Sequence, residues 1–388
     1  MGDSLVLIAE RSNPKRSFLL VSTVLGKHVP VAGARCRLAG LTLGLVVAGD
    51  PRAAAAQEAL LGTDAAAIER CCAELTATPA APTEPIVVIG FAETATALGE
   101  QVAAGADAVW WQTTTRRAEG AAGLPFAEVH SHAPEQWVLA PAGGWPDGVM
   151  VLVDDELSTG ATAARLVEAI HGVSPRERYV VAALVDSRPD GADGPLDATA
   201  AALGARIDVI ALERRGPTPD RPAGWSGGTL PQTPAQPPTR HAVVREVEVT
   251  CPGPRQHAGQ DRSQRLAFAQ AAAATPVRDL GAGALVLGTG EHLAAAQHHA
   301  AALGALTSST TRSPVLVAGS DGYPITAGLA FANPDGPGVP GYAYNVRAGS
   351  RPAVVVHFPD REHRERGEDL LAALARDGAR ELIAVTMA

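Results

Sequence analysis

Residues 148–163 read GVMVLVDDELSTGATA, and this stretch decides the fold class of the 388-residue chain. The apolar run Val149–Val153 is typical of a buried strand, and the pattern of Ala163–His171 predicts a helix. Apolar strands alternate with helices along the rest of the chain as well, so we predict an α/β fold with a parallel sheet flanked by helices. Ligands of such sheets bind beyond the carboxyl ends of the strands.

The same stretch carries the residues that point to a ligand. Asp154 and Asp155 follow the apolar run, and a tight turn of small and hydroxyl residues leads into the helix. Its backbone N–H groups, at a helix N-terminus, are suited to hold a phosphate, and Gly160 permits a positive φ. Carboxylates beside a phosphate require hydroxyls or a hard cation between them. The residues of this turn are Ser158, Thr159, Gly160, Ala161 and Thr162. An ordinary acidic strand end with an N-capping hydroxyl is the alternative.

The stretch resembles the phosphoribosyl pyrophosphate (PRPP) signature of type I phosphoribosyltransferases, of the kind that is similar to orotate phosphoribosyltransferases. The shared pattern is an apolar run, two acidic residues, two variable residues and a glycine loop rich in Thr and Ser. The resemblance implies that Asp154 and Asp155 hold the ribose 2′- and 3′-hydroxyls and that residues 158–162 hold the 5′-phosphate. It also implies PRPP as co-substrate and Mg²⁺ as cofactor, which the two carboxylates bind directly or through water.

A second element precedes this one. The strand Ile86–Ile89 runs through Gly90 into a short loop and then into a predicted helix at Thr96–Ala104. The resemblance implies that this loop holds pyrophosphate, and a plain β-α turn is the alternative. Its residues are Phe91, Ala92, Glu93 and Thr94. Glu93 is unexpected beside pyrophosphate, and it is a candidate to bind either Mg²⁺ or the amine of an unusual acceptor.

Residues 113–145 form a long, mostly irregular segment, and such segments are often lids. The resemblance implies a loop here that closes over the reacting centre. Arg116 and Arg117 are candidates to clamp the leaving pyrophosphate, whose charge grows during the reaction. The candidates for acceptor binding or for the lid are Glu128, His130 and His132 in this segment, and Lys27 and His28 upstream. Polar surface positions are the alternative for each.

A Pro/Gly-rich segment divides the chain. Residues 216–240 read GPTPDRPAGWSGGTLPQTPAQPPTR, which excludes a helix or a central strand. We predict a phosphoribosyltransferase-like domain at 1–215, a linker at 216–242 and a smaller C-terminal α/β domain at 243–388. Other predicted strands of the first domain include Phe18–Val21 and Leu41–Val47. The Ala-rich stretch Ala53–Leu75 predicts a helix that breaks near Gly62, where Thr63 or Asp64 caps a second helix.

The C-terminal part echoes the first. Gly288-Thr-Gly-Glu corresponds to Gly90-Phe-Ala-Glu, and Thr310-Thr-Arg corresponds to Thr114-Thr-Arg. VVVHFPD, which ends at Asp360, takes the place of VLVDD, but no glycine loop follows it. Our hypothesis is that the second domain is a degenerate relative of the first without its own PRPP site. Its candidate ligand residues, for which a structural role is equally open, are Gly288, Gly290, Glu291, Thr311 and Arg312.

A wider resemblance covers most of the chain. The segments LGKHVPV, TTTRR, EVHSHAPE and STTRSP look like those of phosphoribosyltransferases encoded in bacterial tellurite-resistance-type gene clusters. Those proteins carry a C-terminal TRSP domain named for the motif that spans Thr311–Pro314 here. The resemblance implies transfer of 5-phosphoribosyl to a nucleobase-like nitrogen acceptor, with release of pyrophosphate. A regulatory protein that binds PRPP or a nucleotide without turnover, and a bifunctional enzyme of nucleotide biosynthesis, are the alternatives.

Composition limits the partners. The net charge of −9 argues against a non-specific nucleic-acid binder, which needs a basic face. No apolar stretch approaches the roughly 20 residues of a membrane span, and residues 1–16 carry charges that exclude a signal peptide. The cysteines form no C-x-x-C pair, so we interpret them as reduced thiols of a cytoplasmic protein. The family resemblance makes a homodimer possible.

Overall fold

The chain folds as an α/β protein with two mostly parallel sheets, which confirms the predicted fold class. The computed structural model describes residues 4–13, 16–116, 123–127, 135–191, 194–217, 227–233, 243–253, 255–336 and 338–388. The described residues divide into two compact units. The first comprises Met1–Leu5, Arg37–Thr218 and Gly253–Leu266, and the second comprises Val6–Cys36, Pro219–Pro252 and Ala267–Ala388.

Strands and helices alternate along most of the described chain. The strands are β1 (Val6–Glu10), β2 (Phe18–Ser22), β3 (Val31–Ala32), β4 (Ile86–Gly90), β5 (Trp110–Thr113), β6 (Gly123–Ala127), β7 (Glu135–Leu139), β8 (Val149–Leu157), β9 (Arg178–Asp186), β10 (Arg206–Arg214), β11 (Val243–Val249), β12 (Gln260–Asp261), β13 (Leu285–Gly288), β14 (Leu306–Thr311), β15 (Gly328–Ala332), β16 (Pro340–Tyr344), β17 (Val354–Phe358) and β18 (Glu381–Met387). The α-helices are α1 (Gly33–Ala48), α2 (Ala53–Leu61), α3 (Ala65–Ala77), α4 (Thr96–Gly105), α5 (Ala161–His171), α6 (Pro195–Leu203), α7 (Arg262–Ala273), α8 (Leu293–Leu303), α9 (Arg361–Arg366) and α10 (Glu368–Arg376). None of the helices in the described ranges is long and apolar enough to cross a membrane.

The sheet of the first unit has the order β10-β9-β8-β4-β5-β12. The first five strands are parallel, and β12 pairs with β5 in the antiparallel sense. All five residues of β4 are buried, as the continuous apolar run of a parallel strand covered on both faces requires. The strands β6 and β7 form a separate antiparallel hairpin between β5 and β8 in the chain.

The sheet of the second unit has the order β11-β18-β17-β13-β14-β16-β15, and β3 pairs with β14. The neighbouring strands β11, β18, β17, β13 and β14 are parallel, whereas β16 and β15 form an antiparallel hairpin beside β14. One face of this sheet packs its apolar side chains against α10. The strands β1 and β2 pair with each other.

The two sheets share a strand order. In the first, β9-β8-β4-β5 are parallel neighbours, and in the second β18-β17-β13-β14 have the same order and the same sense. Each unit also has an antiparallel hairpin at the same point of the chain, between β5 and β8 in the first unit and between β14 and β17 in the second. This is the result that the hypothesis of two related domains requires.

The register gives the correspondence residue by residue. Gly90 pairs with Thr113 and Val153, and Gly288 pairs with Ser309 and His357. Counting on from Val153 and His357, Phe358 and Pro359 take the places of the acidic pair. Asp360 therefore corresponds to Glu156, and the alignment of Asp360 with Asp155 was wrong by one residue.

The prediction of a strand at Leu41–Val47 was wrong, because these residues lie in α1. Leu41, Leu43 and Leu45 are all fully buried, so this part of the helix shows no polar face. A helix buried on all sides gives the same unbroken apolar run as a buried strand. The glycines of α1 also permit close packing, since a Cβ on Gly44 would lie 2.5 Å from the carbonyl oxygen of Val102 in α4.

Other boundaries agree with the sequence. The helical segment Ala53–Leu75 breaks near Gly62 into α2 and α3, and the carboxylate of Asp64 caps α3 by accepting the N–H of Ala66 at 3.0 Å. Most of the predicted linker lies outside the described residues. In the part of the linker that is described, Thr229 forms an isolated antiparallel β-bridge with Val317.

Candidate active site at the carboxyl edge of the first sheet

Three strands of the first unit end side by side. β4 lies between β5 and β8, and Gly90 is level with Thr113 and Val153. Hydrogen bonds join the segments that follow these strand ends. The N–H of Phe91 donates to the oxygen of Val153 at 2.9 Å. The N–H of Thr114 donates to the oxygen of Gly90, also at 2.9 Å. The predicted acidic pair, the loop after β4 and the segment after β5 therefore leave the sheet from one edge.

The acidic pair lies within β8, which continues to Leu157, so the strand is longer than the apolar run predicted. Asp154 and Asp155 are both partly exposed, and a carboxylate oxygen of Asp154 accepts the N–H of Asp155 at 2.9 Å. Glu156, which the sequence did not single out, accepts the hydroxyl of Ser187 from the end of β9 at 3.1 Å. Three consecutive carboxylates thus precede Leu157, the last residue of this strand.

The turn at residues 158–162 has the geometry that its composition predicts. Gly160 lies in the left-handed region (φ 79°) and directly precedes α5, while Thr159 accepts the N–H of Ala161 at 3.3 Å. A Cβ on Gly160 would lie 2.9 Å from Cγ of Leu196, so the position tolerates only glycine for reasons of both conformation and space. The turn delivers backbone N–H groups to the start of α5, which is suited to bind an anion.

Arg188 is a residue near this turn that the sequence reasoning missed. Its Cδ lies 3.8 Å from where a Cβ on Gly160 would be, and its guanidinium makes two hydrogen bonds of 3.0 Å to the carboxylate of Asp186. Arg214 is a second cation on Asp186, at 2.9 Å. Burial raises the pKa of Asp186, but these arginines outweigh burial and hold the pKa below its ordinary value. The motif DSR at the end of a buried strand was the available signal.

The loop after β4 returns tightly onto the strand end. A Cβ on Gly90 would lie 2.5 Å from the carbonyl oxygen of Ala95, which explains the glycine there. Phe91 and Ala92 are buried, Glu93 and Thr94 are partly exposed, and the peptide bond between Ala92 and Glu93 is cis. The predicted pyrophosphate loop is therefore a compact turn whose second half faces outward.

The β6–β7 hairpin contacts this loop. The rings of Phe91 and Phe126 meet edge to face with centroids 6.0 Å apart. Arg116 follows the end of β5 and is partly buried. Four other candidates, Arg117, Glu128, His130 and His132, lie outside the described residues.

Lys27 and His28 belong to the second unit. His28 is buried against Tyr344 with ring centroids 5.6 Å apart, and its carbonyl oxygen accepts the side-chain amide of Asn345 at 3.0 Å. Burial first, and the charges of Lys27 and Arg11 second, lower the pKa of His28 well below its ordinary value. Their assignment to acceptor binding stays a prediction.

The second-unit candidates leave the second sheet from the corresponding edge. The N–H of Gly290 donates to the hydroxyl of Thr310 at 2.9 Å, and Thr311 ends β14 immediately before Arg312. In place of a glycine turn, Asp360 caps the short helix α9.

Carboxylates fill the space beside Gly290. An oxygen of Asp335 lies 1.8 Å from where a Cβ on Gly290 would be, and Asp335 contacts Nε2 of His363 at 3.3 Å. Nδ1 of His363 contacts Asp360 at 2.6 Å. With acids in these places, the described residues of the second unit differ from the turn that is predicted to hold phosphate in the first. Within the described ranges, no group of three or more His, Cys, Asp and Glu side chains could hold a metal ion.

Comparisons with known proteins agree with the reading of the sequence. A family model described as phosphoribosyl transferase matches residues 5–215, and a model described as the TRSP domain, C-terminal to that family, matches residues 255–374. No curated protein matches the chain.

Solved structures that match the chain include adenine and hypoxanthine phosphoribosyltransferases. Adenine phosphoribosyltransferase from Giardia lamblia, complexed with 9-deazaadenine, is 16% identical over 39% of this chain and 81% of that one, with a TM-score of 0.28. The Trypanosoma brucei enzyme, in complex with AMP, pyrophosphate and ribose-5-phosphate, is 12% identical over 38% and 66%, with a TM-score of 0.25. A hypoxanthine phosphoribosyltransferase from Staphylococcus aureus is 13% identical over 37% and 68%, with a TM-score of 0.23. With TM-scores this low, these structures carry no argument about function.

Proposed function

This chain belongs to the phosphoribosyl transferase family, and from that premise we propose that it transfers the 5-phosphoribosyl group of PRPP to a nitrogen acceptor. The observation that carries the proposal is the end of β8. There Asp154 and Asp155 lead through the left-handed turn at Gly160 into α5, next to the loop that follows β4.

Asp154, Asp155 and the turn bind the ribose 5-phosphate half of PRPP. The carboxylates accept hydrogen bonds from the 2′- and 3′-hydroxyls, and the N–H groups and hydroxyls of residues 158–162 hold the 5′-phosphate. The ribose then lies between the carboxylates and the phosphate and separates charges that repel one another. This arrangement fixes C1 of the ribose relative to the loop after β4.

The acidic pair also suits Mg²⁺ that arrives with PRPP. Both carboxylates are partly exposed hard oxygen donors, and Mg²⁺ is usually held by one or two carboxylates together with substrate phosphates. When bound, the ion supplies positive charge against the leaving pyrophosphate. Asp154 and Asp155 hold it directly or through water.

The loop Phe91–Thr94 and Arg116 bind the pyrophosphate half. As the bond between C1 and the pyrophosphate oxygen breaks, negative charge grows on the leaving group, and fixed N–H dipoles and a guanidinium stabilise that charge. The acceptor nitrogen forms the new bond to C1, and its proton passes to the released pyrophosphate or to water. Catalysis consists of positioning and electrostatics without a covalent enzyme intermediate. A nucleobase-like acceptor is the class that this chemistry favours.

Calorimetric titration of the full chain with PRPP and Mg²⁺ tests the proposal. We expect wild type to bind and the variant Asp154→Asn/Asp155→Asn to lose binding. The matched control is Glu246→Gln/Glu248→Gln, which removes two exposed carboxylates from β11 of the second unit and should bind as wild type. Absence of binding by folded wild type would overturn the assignment. Binding by wild type then justifies a screen of nitrogen acceptors by pyrophosphate release.

A further inference from the structure

Thr114 joins the loop after β4 to the β6–β7 hairpin. Its hydroxyl accepts the N–H of Ala92 at 2.8 Å and donates to the side-chain oxygen of Gln136 in β7 at 3.0 Å. A hydroxyl both accepts and donates, so one side chain satisfies a group on each side. Thr114 is 0% exposed and Gln136 is 1% exposed, so water cannot replace either bond in the folded protein.

Two further contacts hold the hairpin in place, one to the segment after β5 and one to the loop after β4. The N–H of Thr115 donates to the oxygen of Trp137, and the N–H of Trp137 donates to the oxygen of Thr115, both at 2.9 Å. On the other side, Phe126 packs on Phe91. The hairpin is therefore tied to the segment after β5 by a backbone pair, and to the loop after β4 by an aromatic contact and by the two hydrogen bonds of Thr114, which we call the Thr114 relay. Of these, only the relay ends on an N–H group inside the loop.

In the second unit, only one of the two hydrogen bonds of the relay has a counterpart. There the N–H of Gly290 donates to Thr310 at 2.9 Å, so the bond from loop to threonine is kept. Thr311 pairs with Tyr342 as Thr115 pairs with Trp137, which puts Gly341 in the place of Gln136. The acceptor on the hairpin is missing in the unit that lacks the acidic pair and the glycine turn. The glutamine thus accompanies the unit that carries the PRPP features.

We infer that Thr114 and Gln136 are positioning residues, which hold the loop Phe91–Thr94 in the conformation that binds the leaving pyrophosphate. The inference rests on the proposed function, because it assigns a role in that site. Gln136 fixes the direction of the Thr114 hydroxyl, and Thr114 in turn fixes the N–H of Ala92. Neither residue needs to touch the substrate.

The experiment titrates the full chain with two probes, Mg²⁺-pyrophosphate and ribose 5-phosphate. Thr114→Val keeps the shape of the side chain but removes its hydrogen bonds to the N–H of Ala92 and to the oxygen of Gln136. We expect pyrophosphate affinity to fall about 10-fold or more, and ribose 5-phosphate affinity to change less than about 2-fold. Gln136→Met should weaken pyrophosphate binding in the same selective way. Thr114→Ser, which keeps the hydroxyl, should restore most of the affinity.

Thr310→Val is the matched control, since it removes the same bond in the second unit and should leave both affinities unchanged. Should Thr114→Val fail to fold, Gln136→Met decides the matter. Equal pyrophosphate affinity in wild type and both variants refutes the inference, as does a parallel loss for both probes. If wild type binds neither probe, the proposed function itself fails, and that result differs from either of the others.

Discussion

Gly160→Ala tests the turn at the start of α5. Alanine in the left-handed conformation costs about 1–2 kcal/mol relative to its preferred backbone. The new Cβ would also lie 2.9 Å from Cγ and 3.0 Å from Cδ1 of Leu196, which is 2% exposed and has little room to move. Such overpacking typically costs about 1–3 kcal/mol. We therefore expect the free energy of unfolding of the first unit to fall by about 2–5 kcal/mol.

Gly204→Ala separates the two contributions. Gly204 also has a left-handed conformation (φ 62°), but a Cβ there would meet nothing within 4 Å. We expect this control to lose only about 1–2 kcal/mol. Four of the five tryptophans lie in the first unit, so urea unfolding followed by tryptophan fluorescence reports on that unit.

PRPP titration completes the test. Displacement of the turn should weaken PRPP binding by Gly160→Ala, whereas Gly204→Ala should bind as wild type. Equal stability losses in the two variants would refute the role of Leu196. Unchanged PRPP affinity in Gly160→Ala would refute the role of the turn as a phosphate cradle.

Three further predictions follow from other parts of the chain. Burial lowers the pKa of His299 to about 4 and that of His357 well below its ordinary value, so unfolding takes up protons below about pH 6.5. Between pH 6.5 and pH 4, the free energy of unfolding of the second unit should fall by about 3 kcal/mol because of His299 alone. Hydrogen exchange in β13 and β17 measures this fall, and a rise in stability on acidification would contradict the prediction. Arg265→Met leaves Glu100 without the buried ion pair of 3.5 Å and should cost about 3–5 kcal/mol in urea unfolding. The double variant with Glu100→Leu should recover much of that loss, and a purely additive result would count against the pair. Chelation of Mg²⁺ should abolish the PRPP binding that calorimetry measures. Undiminished binding in excess chelator would show that the site does not need the metal.

Several features could be predicted from the sequence because neighbouring residues determine them. The apolar run before Asp154 and Asp155, the glycine at 160 and the helix after it are contiguous, and their order indicates strand, turn and helix without knowledge of the rest. The break at Gly62 and the cap at Asp64 are local in the same sense. The family resemblance, also read from contiguous motifs, agreed with the family match.

Other features depended on residues far apart in the chain. Gln136 lies in no motif, and Arg188 is marked only by the short motif DSR. Gln136 gains its importance from its contact with Thr114, and Arg188 gains its importance from its place beside Gly160. Lys27 and His28 precede every strand of the first sheet in the chain, yet they belong to the second unit. Composition near a residue does not report which distant strand it packs on.

The sequence by itself determined the α/β class, the acidic strand end and the turn that follows it, because hydrophobic period and backbone preference act over a few residues. Only the tertiary structure decided that Leu41–Val47 is helical, since burial on every side removes the period that distinguishes a helix from a strand. Strand order and register were likewise decided by long-range pairing. They placed Gly90 between Thr113 and Val153, and Phe358 and Pro359 where the first unit has its acids.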